Sequence, residues 1–168
     1  LNLLSHQDSF KADGLFSVGL TEVFDSFTTG YKPEDHAEKL FEAICTSNGF
    51  NAAEIREDSK NLINGIRTTD KTTFLEWLEN KGSNKITTSI DSLDKIANTK
   101  RHYSRITSIG LFKILKELSL EDKLLTDEKA MNTISIVFDV SKERTEKDIG
   151  AFRNNLEKIN QAIELIKE

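Results

Sequence analysis

Between Lys100 and Arg105 the sequence reads KRHYSR, its densest run of ionic and hydrogen-bonding side chains. The serine and histidine suggest a nucleophile and its base, and the cations suggest an anionic partner. The apolar spacing that follows places the run at the start of a helix. There His102 and Ser104 are two positions apart and point about 200° away from each other, so they cannot form a nucleophile–base pair. On such a helix Tyr103 and Ile106 anchor the core, while Arg101 and Arg105, at i and i+4, reach toward acidic neighbours. Lys100, Arg101, His102 and Arg105 are the candidate patch for a partner or an anion. A helical small-molecule-binding or enzymatic domain built on this polar cluster is the alternative function, and it requires a formed pocket of roughly 300 to 1,000 Å³ around the cluster.

Other chemistry is searched for with less return. Gly14 and Gly19 in GLFSVGLT have the G-x4-G frame of a phosphate loop. The Lys-Ser/Thr that must follow is replaced by Leu20-Thr21, and no strand precedes it, so the phosphate and magnesium contacts are missing. No G-x-S-x-G elbow occurs. His6, His36 and His102 stand in separate segments without H-x-x-x-H or H-E-x-x-H spacing, and Cys45 has no companion thiolate. Cys45 sits in the apolar run Leu40, Phe41, Ala43, Ile44 and reads as a small core residue. Glu34 and Glu38, at i and i+4, read as a hydrated helix face. No catalytic, metal-binding or cofactor-binding residue is assigned.

These side chains need a scaffold, and 168 residues are enough for one domain with a sizeable core. Lys and Arg total 23 against 28 Asp and Glu, a formal charge of −5 with the signs interspersed. That excludes the basic face of a nucleic-acid binder. No apolar stretch approaches the roughly 20 residues of a membrane span, so any membrane association is peripheral or through partners. The first residues, LNLLSHQ, read like the last turns of a helix whose beginning is missing, and the N-terminus is read as truncated.

One proline and a near-universal helical spacing of apolar residues predict an all-α, compact multi-helix domain. Asp13 caps a helix carrying Phe16, Leu20, Val23, Phe24 and Phe27, with Leu15 and Val18 on a second apolar side, ending before Gly30. Pro33 sits at a first helical position, Ala37, Leu40, Phe41 and Ile44 face the core, and Asn48-Gly49 stops that helix. Asn51 to Glu54, NAAE, has capping-box spacing and leads into Ile55, Leu62 and Ile66. A short helix follows around Phe74, Leu75, Trp77 and Leu78. Residues 80 to 92 are the most linker-like stretch and leave room for a division. A second central apolar helix, about 100–119 against about 13–29 for the first, carries Ile106, Ile109, Leu111, Ile114, Leu115 and Leu118. Another runs from about Thr126 through Phe138 to the cap candidate Ser141. The last, roughly 142–168, places Ile149, Phe152, Leu156, Ile159, Ile163 and Ile166 at alternating steps of 3 and 4, a coiled-coil-like seam. It reads as a long amphipathic helix packed along the domain, or as an exposed seam for a partner helix.

SVGL at 17–20 returns as SIGL at 108–111. Aligning them pairs Leu15 with Ile106, Val18 with Ile109 and Leu20 with Leu111, and raises a pseudo-repeat of residues 13–67 and 104–166. A mid-helix glycine costs about 1 kcal/mol relative to alanine, so an offsetting gain is required. Gly19 and Gly110 are therefore candidate helix-crossing glycines, each facing a packed neighbour.

The stretches FDSF and GYKPE, then IREDSKNL, HYSRITSIGLFKIL and ERTEKDIGAFRNNLEKINQA, occur in an order that closely resembles the thylakoid formation protein family. The similarity covers nearly the whole chain. The resemblance implies an all-α, non-enzymatic accessory factor for photosystem II biogenesis and repair. It would act peripherally at the cytoplasmic (stromal) face of the thylakoid membrane, through FtsH proteases, without cofactors or nucleic acid. The absence of a longer C-terminal tail points to a cyanobacterial source. The family offers no catalytic residues to carry over.

Overall fold

The computed structural model describes residues 12–31, 33–83 and 88–167, leaving the side chain of Glu34 aside; the LNLLSHQ segment and His6 lie outside the described residues. All regular structure among the described residues is helical. It comprises α1 (Gly14–Phe27), α2 (Glu34–Ser47), α3 (Ala52–Arg67), α4 (Lys71–Gly82), α5 (Asp91–Asp94), α6 (Arg105–Glu117), α7 (Glu121–Leu125), α8 (Glu128–Phe138) and α9 (Lys142–Lys167).

Short polar side chains start most of these helices. Asp13 accepts from Phe16 N at 3.0 Å, Asn51 from Glu54 N at 3.2 Å, Asp70 from Thr73 N at 2.7 Å and Asp127 from Ala130 N at 3.1 Å. Each satisfies one of the first-turn amides that has no intrahelical acceptor. Gly30 and Gly49 adopt φ of +81° and +80°, the left-handed turn that ends α1 and α2 with no Cβ penalty.

Central to the molecule is the pair α1 and α6, which cross more closely than side chains allow. A Cβ on Gly19 would lie 1.8 Å from the carbonyl oxygen of Ile106, and one on Gly110 would lie 2.1 Å from that of Leu15. The contact is reciprocal: each glycine faces the carbonyl four residues before the other. The Cα–H bonds point at these carbonyls, as in weak Cα–H···O contacts between closely packed helices.

From this crossing the core spreads both ways. Leu15, Val18, Leu62, Ile66, Phe74, Trp77, Leu93, Leu111, Leu115, Met131 and Phe138 belong to one buried cluster. It draws residues from both sides of 80–92. Trp77, fully buried, donates from Nε1 to Asp94 Oδ1 at 2.8 Å. The same carboxylate receives the Ser89 hydroxyl at 2.5 Å and Lys81 at 3.2 Å, tying α4 to α5. Two smaller clusters flank the main one. One holds Phe16, Phe41, Cys45 and Ile55 between α1, α2 and α3, and the other holds Ile109, Phe112, Ile149 and Phe152 between α6 and α9.

Several local expectations change. The second central helix begins at Arg105, not Lys100, because Ser104 serves as its N-cap, accepting from Ile106 N at 3.1 Å. His102 and Ser104 therefore lie before the helix, and the 200° argument does not apply to them. Pro33 is the N-cap of α2 rather than its first residue. Leu40 is 44 % exposed and Phe27 49 %, while Cys45 takes the core place beside Phe41. The stretch before α8 forms the separate turn α7. Of the α9 seam only Ile149 and Phe152 are buried, with Thr145 buried a turn before them; Leu156 packs partly, and Leu165 and Ile166 are 72 % and 85 % exposed. Helix α9 is thus packed along its first half only.

Candidate functional site

Arg101 is the centre of the sequence-predicted cluster, and it joins three helices. Its guanidinium donates to Asp13 Oδ2 at 2.7 Å, at the cap of α1, and to the Ile96 carbonyl at 2.6 Å, just after α5. Its backbone N–H donates to Asp139 Oδ2 at 2.8 Å, at the left-handed C-cap of α8. The Arg101 side chain is 7 % exposed. A guanidinium suits such a joint because its planar fork can serve two acceptors at once.

Tyr103, two residues on, reaches α9. Its hydroxyl makes a short hydrogen bond to the Asp148 carboxylate, and the Ser108 hydroxyl lies 3.1 Å from the phenol oxygen and 3.4 Å from Thr145 Oγ1. Burial first, and then the hydrogen bond to Asp148, push the Tyr103 hydroxyl up to about 12, so it stays a protonated donor at neutral pH. Arg105 Nε lies 3.4 Å from Asp148 Oδ1 while the rest of its side chain is exposed. Arg144 covers the Tyr103 ring at 5.5 Å.

The six residues therefore separate. Arg101, Tyr103 and Arg105 are engaged with carboxylates of α1, α8 and α9, Ser104 caps α6, and Lys100 and His102 are exposed. Their polar groups turn to different helices rather than converging on one point. Sequence reasoning anticipated acidic neighbours but missed their identities, because Asp13, Asp139 and Asp148 lie 88, 38 and 45 positions from their partners in the chain. Only the cap at Asp13 gave a local signal. The Cys45 thiol is fully buried and is pushed up by burial, which Arg56 partly opposes, so it is not a ready thiolate. No group of three or more His, Cys, Asp or Glu side chains that could hold a metal occurs among the described residues.

A larger concavity lies elsewhere. The C-terminal half of α2 and the first turn of α3 form a groove of about 710 Å³ lined by Glu38, Glu42, Thr46, Phe50, Ala53 and Arg56, among others. Arg56 is its hinge pin. It bonds both oxygens of Asp25 at 2.9 and 3.0 Å and both of Glu38 at 3.2 and 3.0 Å, with its guanidinium 4.0 Å over the Phe41 ring. These contacts tie α1, α2 and α3 together. Residues 33–58 hold seven Asp or Glu and two Lys or Arg, a net of −5 within that segment. The expectation of interspersed signs missed this concentration, which counting charge segment by segment would have found.

Caps, glycine crossing and polar joints together define an all-helical domain whose buried ionic groups hold its own helices in place. No helix among the described residues is long and apolar enough to cross a membrane. The sequence matches the model of the thylakoid formation protein family over residues 1–168, and the chain belongs to that family. It is 39 % identical over 173 residues to Protein Thf1 of Prochlorococcus marinus (strain NATL1A), spanning 99 % of this chain and 78 % of the relative. To Protein Thf1 of Synechococcus sp. (strain CC9902) it is 37 % identical over 177 residues, spanning 100 % and 73 %. The solved structure of Psb29 at 1.55 Å superimposes with a TM-score of 0.79 at 27 % identity, covering 99 % of this chain and 77 % of that one.

Proposed function

We propose that this member of the thylakoid formation family is a non-enzymatic accessory factor in photosystem II biogenesis and repair, acting by interaction with FtsH proteases. It works peripherally at the cytoplasmic face of the thylakoid membrane, held there by its partners. The observation that carries the reading is the family match along the whole chain, with the Psb29 fold as its structural counterpart. Two features of the molecule support it. The strongest candidate for a chemical site, Lys100 to Arg105, is largely occupied in joining helices. The lack of a membrane-crossing helix among the described residues agrees with attachment through partners.

The test is affinity capture from detergent-solubilised thylakoids with this domain as bait. Enrichment of FtsH subunits above a scrambled-surface control is expected. Recovery equal to the control, from membranes that contain FtsH, would remove the partner assignment.

A further inference from the structure

We propose that the groove between α2 and α3 is a docking site for a basic segment of a partner protein, which places a Lys or Arg side chain against Glu42, beside the Arg56–Glu38 pair. The inference stands on the groove's shape and charge and does not depend on the FtsH assignment.

The groove is a concavity of about 710 Å³ between two helices. One wall carries Glu38 and Glu42, one turn apart on the same side of α2. The other carries Ala52 and Ala53, small residues of the first turn of α3, and Phe50 adds an aromatic surface. Such a lining accepts the aliphatic stem of a long cationic side chain while the Glu42 carboxylate meets its head. The groove's own cation is already committed. Arg56 is held between Asp25 and Glu38 and stacked on Phe41, whereas Glu42 is exposed and forms no ion pair among the described residues.

Charge selects the class of occupant. The groove lies within residues 33–58, a segment of net charge −5, so anionic lipid headgroups and nucleic-acid phosphates are repelled from it. Backbone geometry narrows the choice further. The amides of Ala52 and Ala53 belong to the first turn of α3, where no intrahelical acceptor exists, and Asn51 satisfies the next one at Glu54. A free cation would not meet these donors. A polypeptide offers both groups needed, a cationic side chain for α2 and a carbonyl oxygen for the start of α3.

The test uses a fluorescein-labelled synthetic peptide of Arg and Leu spaced by Gly and Ser, and a copy with every Arg replaced by citrulline, which keeps the shape and removes the charge. Fluorescence anisotropy against the full chain should show saturable binding of the first and loss of binding for the second. Glu42→Lys should weaken binding by about tenfold. Thr46→Arg, which inserts a guanidinium from the chain's own exposed α2 position, should do the same. Glu76→Lys makes the same charge change on the exposed face of α4 and should leave affinity within about twofold. Circular dichroism checks that each variant is folded, and Glu42→Gln replaces any that is not. Equal weakening by Glu76→Lys, equal binding of the citrulline peptide, or no binding of the Arg peptide would overturn the proposal. So would tight binding of the chain to phosphatidylglycerol vesicles that Glu42→Lys does not alter.

Discussion

Replacing Gly19 or Gly110 by alanine is the most direct challenge to the architecture. Helix propensity alone favours each substitution by about 1 kcal/mol. Contact opposes it. A new Cβ would sit 1.8 Å from the Ile106 oxygen or 2.1 Å from the Leu15 oxygen, where real Cβ atoms essentially never come under 3.0 Å. The helices must therefore separate by at least 1.2 or 0.9 Å, the differences from that limit. The obstructing atoms are backbone, so no rotamer change relieves the clash. A gap of that size forfeits about a quarter to a half of the attraction of each contact pair facing it. Around the crossing those pairs include Leu15, Val18, Leu111, Ile114 and Leu115, all essentially unexposed. Overpacking normally costs about 1–3 kcal/mol, and a backbone obstruction in the centre of the core belongs at the upper end or beyond. After the propensity gain, each single variant should lose about 3 kcal/mol, lowering Tm by about 6–12 °C in a chain of this size. Because one separation relieves both clashes, the double variant should lose clearly less than the sum. Gly150→Ala is the internal control. It lies in α9 with nothing within 4 Å of its added Cβ, and it should gain up to about 1 kcal/mol. Urea and thermal unfolding followed by far-UV circular dichroism measure all four. If Gly19→Ala or Gly110→Ala stabilises the protein as Gly150→Ala does, the close crossing is wrong.

Further outcomes follow from the joints and from α9. Arg101→Gln removes the guanidinium that serves Asp13 and the Ile96 carbonyl, and should cost about 2–4 kcal/mol in urea unfolding; a loss under about 1 kcal/mol would show that Arg101 is not a joint. Tyr103 has a folded pKa raised above its unfolded value of 10.0 to about 12, so its contribution is complete below pH 10 and is lost as pH rises through that interval. In a Tyr31→Phe background the phenolate absorbance of the remaining tyrosine should appear late, and Tyr103→Phe should flatten the stability profile there. Burial pushes the Asp94 carboxyl up, but Ser89, Trp77 and Lys81 together outweigh it and hold it below its usual 3.8. Its contribution is therefore present above that pH and lost as pH falls through the lower folded value. Trp77 fluorescence should report this step, and Asp94→Asn should abolish it. Deleting residues 160–168 should move Tm by less than about 2 °C, because the tail of α9 buries little; a larger fall would mean that its apolar stripe packs after all. Superposition of residues 13–67 on 104–166 tests the pseudo-repeat. A local twofold would make the Gly19 and Gly110 contacts reciprocal, as they are, and a different helix order or handedness in the two segments would end the idea.

What the sequence by itself determined is what depends on neighbours within a turn. The all-helical class follows from apolar spacing, and the starts at Asp13 and Asn51 from side chains that reach an amide three residues ahead. The family was legible because its pattern runs through the whole chain. Tertiary structure decided the matters that join distant segments. It chose Cys45 over Leu40 for the core, since the apolar arc of α2 is wider than the strip α3 covers. It stopped the packing of α9 near Leu156, where the body of the domain ends under a seam that continues unchanged in sequence. It gave Arg101 its carboxylates and turned an apparent chemical cluster into a joint. Helical spacing told which residues could face a neighbour, but the neighbour itself is set by how ridges of one helix meet grooves of another. At Gly19 and Gly110 that meeting is backbone against backbone.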